Sequence, residues 1–442
     1  MENMPQVYPE REPRFKALVP FLVFVVFYVG LSVWSGDFYS VPMPVAFLIA
    51  SASALLLDRH RTLAAKTEIY AKGMGDSNIM IMCLIFILAG AFAGTAKAMG
   101  AVDATVLVAR NLIPGNLLLC GFFLISCFIS LAIGTSCGTI AALTPIAAGL
   151  VKAMGISPEL MIGTVIGGAM FGDNMSMISD TTIAATRTQN VAMRDKFLMN
   201  LKMIFPAAVA AIILYWVRGK GAGSGTAPGA VTWKHIVAVI PYVAILAGAL
   251  AGVNVMALLF LGTITAVGIG IFSGTFSFWT ALAEAGKGCC GMSETLIVAL
   301  LAGGLLRVIQ HNGGIKYLLE KIEKAVSGER GCELGVVFLV GAVNLFTANN
   351  TVAIVISGPI AKALSDKFNC DPRRIASILD TTSCVVQGVI PYGAQILIAI
   401  GVARSAGIEI PSLGLILCLY YPLFLAVALL GSIFLRKERK NG

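Results

Sequence analysis

The sequence predicts an all-α polytopic membrane protein of two inverted-topology repeats, with about ten transmembrane helices plus two re-entrant hairpins and broken helices that meet at the midplane. Three observations predict it. Charged residues are only 12% of the 442, against 57% for AVILMFWYC, about half the ~25% charge that soluble domains carry. The mean hydropathy is +0.87, and apolar runs near the ~20 residues that span a bilayer recur along the chain. The series of runs then occurs twice, on either side of a Gly/Ser/Pro-rich stretch.

The first series comprises 17–34, 40–57, 77–99, a long stretch 115–153, another 157–190, and 196–217. The second comprises 235–252, 253–273, 292–312, 332–366, 371–405 and 410–434. Residues 1–218 therefore form a first repeat, 219–234 a linker and 235–442 a second repeat. The run from Ala17 follows Arg11, Arg14 and Lys16 and lacks a small-residue cleavage site, so it reads as a span that stays. Segments 60–74, 276–288 and 314–328 read as interfacial amphipathic helices.

A shift of 214 positions aligns the two series. It places Pro145, Ile146 and Ala147 on Pro359, Ile360 and Ala361, and Pro158 on Pro372 without a gap. Ser157 and Asp371 precede the latter prolines, an N-cap followed by a first helical residue that needs no N–H.

Each repeat carries two polar interruptions: Gly134 to Thr139 and Phe171 to Thr182, then Thr347 to Thr351 and Val385 to Gln395. Polar backbone at membrane depth survives only when buried in protein or lining a cavity, and paired breaks of this kind mark transporter binding sites. The stretch 115–155 has its polar tip near the middle, so each arm holds about 20 residues or fewer. A re-entrant hairpin fits that length, as does one broken long span. Hairpins leave five spans per repeat, an odd number, which inverts one repeat relative to the other. With the N-terminus in the cytoplasm, 22 Lys and Arg fall in inside segments, among them the loop charges Arg187, Arg194 and Lys196, and Lys362, Lys367, Arg373 and Arg374, and 8 fall outside, a bias that favours ten spans with both termini cytoplasmic.

The net charge of +9 lies in these short loops, which argues for lipid headgroups and against nucleic acid as the partner. The ten cysteines mostly lie in apolar runs without a CxxC framework, and three scattered histidines build no metal site. No HExxH, GxSxG or Cys/His cluster supports an enzyme, and no cofactor is expected.

The breaks carry cation chemistry. A carboxylate at membrane depth costs roughly 3 kcal/mol on insertion scales, yet Asp173 and Asp180 stand seven positions apart in one interruption. With Asn174, Ser176, Ser179 and Thr181 they supply the hard oxygens that a bare Na+ needs. Burial makes a carboxylate easier to protonate, so one group can hold H+ and Na+ in turn. Either Asp alternatively caps a helix at the break. Asp380, in the facing segment, is a second carboxylate or another cap, and Tyr392 and Gln395 beside Pro391 and Gly393 line the site.

The motifs FGDNMSMISDTT, ANNTVAIVISGPIAKAL and DPRRIASILDTTSCVVQGVIPYGAQ resemble those of the NhaC family of Na+/H+ antiporters, within the wider ion transporter superfamily. The resemblance implies an inverted-repeat transporter of the bacterial inner membrane, usually a homodimer, that moves its transport domain like an elevator. Carboxylate symporters of that superfamily carry Ser-Asn-Thr at the hairpin tips, where this chain reads Thr135-Ser136-Cys137 and Asn349-Asn350-Thr351.

Two functions follow. In cation/proton antiport, Na+ and H+ exchange on Asp173 and Asp180. In coupled carriage of a small organic solute, an amino acid or a hydroxycarboxylate, helix N-termini beyond Thr139 and Thr351 aim positive dipole ends at a substrate carboxylate. Thr135, Ser136, Thr139, Asn349, Asn350, Thr351, Gln387, Tyr392 and Gln395 then hold the solute.

Overall fold

The computed structural model describes residues 12–35, 41–57, 61–112, 114–177, 179–220, 229–251 and 253–436. Arg11, Arg59, Lys437, Arg439 and Lys440 of the charge count, and residues 221–228 of the linker, lie outside them. Among the described residues all regular structure is helical. The first half contains α1 (Val19–Ser35), α2 (Met43–Leu57), α3 (Leu63–Met74), α4 (Ser77–Ala98), α5 (Ala101–Leu112), α6 (Leu118–Ile133), α7 (Ser136–Met154), α8 (Pro158–Met175), α9 (Asp180–Gln189) and α10 (Met193–Arg218). The second contains α11 (Trp233–Leu250), α12 (Val255–Phe272), α13 (Phe278–Gly291), α14 (Ser293–His311), α15 (Gly314–Ala325), α16 (Gly328–Thr347), α17 (Asn350–Lys367), α18 (Pro372–Val389), α19 (Ala394–Ser405), α20 (Ser412–Leu417) and α21 (Tyr420–Phe434).

Two elements differ from the sequence expectation. Helix α5 was not anticipated; it is the counterpart of the amphipathic α15, and the repeat predicts it. The apolar run 410–434 is not one helix. It breaks at Cys418 and Leu419, just before α21, where Pro422 has no N–H to give to a continuing helix. Among the described residues six segments are long and apolar enough to cross a membrane, and two of these, Ser136–Met154 and Gly328–Thr347, are hairpin arms. The remaining apolar helices, such as Met43–Leu57 and Tyr420–Phe434, are shorter.

The shift of 214 reproduces helix boundaries as well as residues. It carries the starts of α7, α8 and α9 onto those of α17, α18 and α19, and the ends of α6 and α8 onto those of α16 and α18. The caps follow suit. Ser157 Oγ accepts the Leu160 N–H at 3.4 Å, and Asp371 Oδ1 accepts the Arg373 N–H at 3.0 Å. Each leaves Pro at the first helical position.

The long polar-tipped stretches are hairpins. Helices α6 and α8 run parallel: Gly168 lies against Phe123 and Gly172 against Cys127, and a Cβ on either glycine would come 2.4 Å from the facing carbonyl oxygen. Helix α7 returns antiparallel to α8 through a three-residue link, so it is antiparallel to α6 as well. In the second half Asn344 donates to the Ser383 carbonyl and Arg374 pairs with Glu333, which makes α16 parallel to α18 and antiparallel to α17. Helix α7 also runs parallel to α19, from Gln395 beside Ser136 to Ala406 beside Lys152. Since α18 leads into α19 across a break, the two hairpins open toward opposite ends of the molecule.

The halves interlock. Helix α3 packs on α14, where Gly73 meets Gly303 and Gly304, and α13 packs on α4, where Gly288 meets Gly90. These are equivalent contacts exchanged between the repeats. A Cβ on Gly288 would sit 2.0 Å from the Gly90 carbonyl oxygen, so each crossing depends on small residues that let backbones touch. Likewise α9 packs on α17 and α19 on α7. The first arm of each hairpin packs on the broken helix of its own repeat and the second arm on that of the other repeat, which brings both tips to one place.

Candidate ion and substrate site

At tip 1, Gly134 closes α6 in the left-handed conformation at φ 75°, and extended Thr135 starts α7. At tip 2, Ala348 takes the same conformation at φ 49°, and extended Asn349 starts α17 with its Oδ1 accepting the Val352 N–H at 3.0 Å. The breaks follow similar rules. Helix α8 ends at Met175 with Ser176 and Ser179 extended, and α9 begins at Asp180. Helix α18 ends before Pro391, and Gly393 starts α19.

These four ends surround one cavity of about 430 Å³. Thr135, Ser136, Asp173, Ser179, Asp180, Thr181, Asn349, Asn350, Thr351, Gln387 and Gln395 all line it, with an apolar wall from Ile81, Met82 and Ile85 of α4 and Met256 of α12. First-turn residues of α7, α9, α17 and α19 are among them, so four helix N-termini carry positive partial charge to the same space.

Asp173 is the centre of the polar network. Its Oδ2 accepts the Ser136 hydroxyl at 2.7 Å and the Ser136 N–H at 3.3 Å. Its Oδ1 accepts the Ser179 hydroxyl. Gln395 Nε2 donates to Ser136 Oγ at 3.0 Å, and Ser179 and Thr181 share a hydroxyl contact at 2.9 Å. One carboxylate is thereby held by tip 1 and break 1, with break 2 one bond further out. Asp180 is different: it is exposed in the cavity wall, at the first position of α9, where a carboxylate complements the helix dipole. Gln387 donates to the Ala348 carbonyl at 2.8 Å, and the buried Oε1 atoms of Gln387 and Gln395 lack a protein partner.

Other sequence candidates fall outside the lining. Thr139 is buried and donates to the Thr135 carbonyl, tightening the start of α7. Ser176 donates to the Leu131 carbonyl at 3.0 Å and ties the break to α6. Asn174 is buried, with both its oxygens accepting from Asn200 at 3.0 Å. Tyr392 donates to the Leu345 carbonyl at 2.6 Å, and its ring stands edge-on to Phe24 and Phe47. Asp380 is neither a cap nor a free second carboxylate, because it forms an ion pair with Lys196.

Lys196 is the residue that the sequence argument misplaced, as a loop charge. It is 1% exposed on the inner face of α10. The pattern that reveals it is helical: Lys196, Asn200, Met203, Ile204, Ala207, Ala211 and Tyr215 recur at three- to four-residue spacing and are all buried. Arg374, also assigned to a loop, is buried against Glu333, which accepts a further bond from Arg436 at 2.8 Å.

A helical membrane chain whose two hairpin tips and two broken helices enclose one polar cavity is a secondary active transporter. It belongs to the Na+/H+ antiporter family, whose profile matches residues 14–220 and 227–434. The chain is similar to the malate-2H+/Na+-lactate antiporter of Bacillus subtilis, 25% identical over 86% of this chain and 88% of the relative. It is also similar to the Na+/H+ antiporter NhaC of the same organism, 26% identical over 80% and 84%, and to an arginine/ornithine antiporter of Halobacterium salinarum, 24% identical over 66% and 65%. Among solved structures, the YdaH transporter of Alcanivorax borkumensis aligns with a TM-score of 0.43 at 15% identity, covering 94% of this chain and 98% of that one.

Proposed function

We propose that the protein exchanges Na+ for H+, with Asp173 as the carboxylate that the two cations occupy in turn. The observation that carries this is the setting of Asp173, buried at the end of α8 with hydroxyls of Ser136 and Ser179 on its oxygens and Thr181 beside them. Those hydroxyls donate to the carboxylate as it stands. Each has lone pairs that turn toward a bound Na+, so one cluster serves both ions. Asp180, exposed in the same wall, is the first carboxylate an entering cation meets.

A second function is supported by one observation of its own. A cavity of about 430 Å³ far exceeds a bare cation and falls within the ~300–1,000 Å³ of small-molecule sites. Four helix N-termini and the side-chain amides of Asn349, Asn350, Gln387 and Gln395 suit a small carboxylate or amino acid. The relatives named for malate and lactate and for arginine and ornithine are consistent with such a cargo.

We place the chain as a homodimer in the bacterial inner membrane with both termini in the cytoplasm, its repeats inverted and its hairpins moving as an elevator. The deciding experiment uses purified protein in acid-loaded liposomes with an internal pH dye. Na+ alone alkalinises the interior if the protein is an antiporter. Silence to Na+, Li+ and K+, followed by uptake of a labelled carboxylate or amino acid, gives the second function instead.

A further inference from the structure

The Lys196–Asp380 pair lies beside the cavity and plays no part in the exchange described above. Lys196 Nζ donates to the Asn174 carbonyl at 2.9 Å, to Thr182 Oγ1 at 2.8 Å and to the Asp380 carboxylate. Three donors meet three oxygens, which saturates the ammonium. Asn200 completes the shell, donating to the Asn174 carbonyl at 3.0 Å and to Asp380 at 3.3 Å. Two of the Lys196 acceptors flank break 1, and the third comes from α18 of the other repeat.

The location is costly. Burying an ammonium and a carboxylate costs several kcal/mol per ion before their attraction is counted, and a cation in the first turns of α10 opposes that helix's dipole. Neither ion recurs in the other half, where Ile410 and Ile166 stand at the positions a shift of 214 assigns to Lys196 and Asp380. The pair is therefore not part of the shared repeat framework. What the ammonium occupies is a shell of main-chain carbonyl, hydroxyl and carboxylate oxygens, the ligand set of an alkali cation.

We propose that Lys196 is a tethered cation seated in a second alkali-cation site, and that it limits coupling to the one carboxylate, Asp173, that still has to be neutralised. Removing the ammonium while keeping its oxygen ligands vacates the site for Na+.

The test compares K196M, K196M/D380N and the unsubstituted protein, purified in detergent and melted in NaCl, KCl and N-methylglucamine chloride. K196M is expected to gain a Na+-specific rise in melting temperature of about 5 °C beyond that of the unsubstituted protein. The double variant, which has no charge to compensate, returns to the unsubstituted increment. In liposomes the Hill coefficient for Na+ rises by about one in K196M. The transport measurement rests on the antiport function, whereas the melting measurement does not, so the failure of either is distinguishable. K196M that melts early in all three salts, or that shows the unsubstituted Na+ increment, overturns the proposal and leaves the pair as a structural clamp.

Discussion

The two repeats share a backbone and differ in what they hang on it. Asp173, Ser136, Ser179 and Thr181 in the first correspond to Gln387, Asn350, Gly393 and Gln395 in the second. The first break has a carboxylate ringed by hydroxyls, whereas the second has a neutral amide bonded to the main chain of its own hairpin tip. The comparison teaches that the hairpin-and-break scaffold creates depth and helix ends, while side chains in the first repeat alone place a hydroxyl-ringed carboxylate at the junction, the group proposed to exchange its cation.

The most severe test of the comparison is topological. Single cysteines at Lys152 and Lys362, in a background without the native thiols, are expected to label from opposite faces of the membrane. Labelling from one face breaks the relation between the repeats outright. Next is the charge itself. Asp173→Asn keeps the shape and removes the anion, so coupled transport should fall to background with expression and melting temperature nearly intact. Exchanging the pair, Asp173→Gln with Gln387→Asp, is expected to stay inactive, because Gly393 offers no hydroxyl where Ser179 stands. Activity in the exchanged protein would mean that the scaffold alone makes the site.

A graded effect follows at Ser179. Ser179→Ala removes a hydroxyl whose lone pair the proposed exchange turns onto the bound Na+, a contact with a charged group worth roughly 1.5 kcal/mol, so the Na+ concentration for half-maximal exchange should rise about tenfold. The same titration carries the pH sign. On the proposed exchange protons and Na+ compete for one carboxylate, so apparent Na+ affinity should weaken as pH falls and recover as it rises. An affinity that ignores pH would remove Asp173 from the proton pathway.

Most of this scaffold was legible in the sequence, because lipid and backbone chemistry write themselves plainly. Apolar runs, caps at Ser157 and Asp371, and polar tips at Thr135 and Asn349 each have local causes; the caps and tips fall where they are expected, and of the apolar runs 410–434 is the one that splits. Lys196 and Asp380 were not legible. A lysine near Arg194 and Asp195 looks like any cytoplasmic loop charge until α10 turns it inward, and its partner lies 184 positions away. Tyr392 was misjudged for a similar reason: its ring is claimed by Phe24 and Phe47 from another part of the chain. What sequence hides here is contact between repeats, since the interlock of α9 with α17 and of α19 with α7 has no local signal.

The smallest expected effect separates the two tips. Both place one residue in the left-handed region, but tip 1 uses Gly134 and tip 2 uses Ala348. A side chain there costs roughly 1–2 kcal/mol, and glycine returns part of the gain through the extra freedom of the unfolded chain, roughly 0.5–1 kcal/mol. Ala348→Gly should therefore stabilise the protein by about 0.5–1 kcal/mol, and Gly134→Ala should destabilise it by a similar amount, read as shifts in melting temperature in detergent. The signs matter more than the sizes. Destabilisation by Ala348→Gly would mean that the buried methyl contributes more through packing than its backbone conformation costs, and the tips would then differ in what holds them as well as in charge.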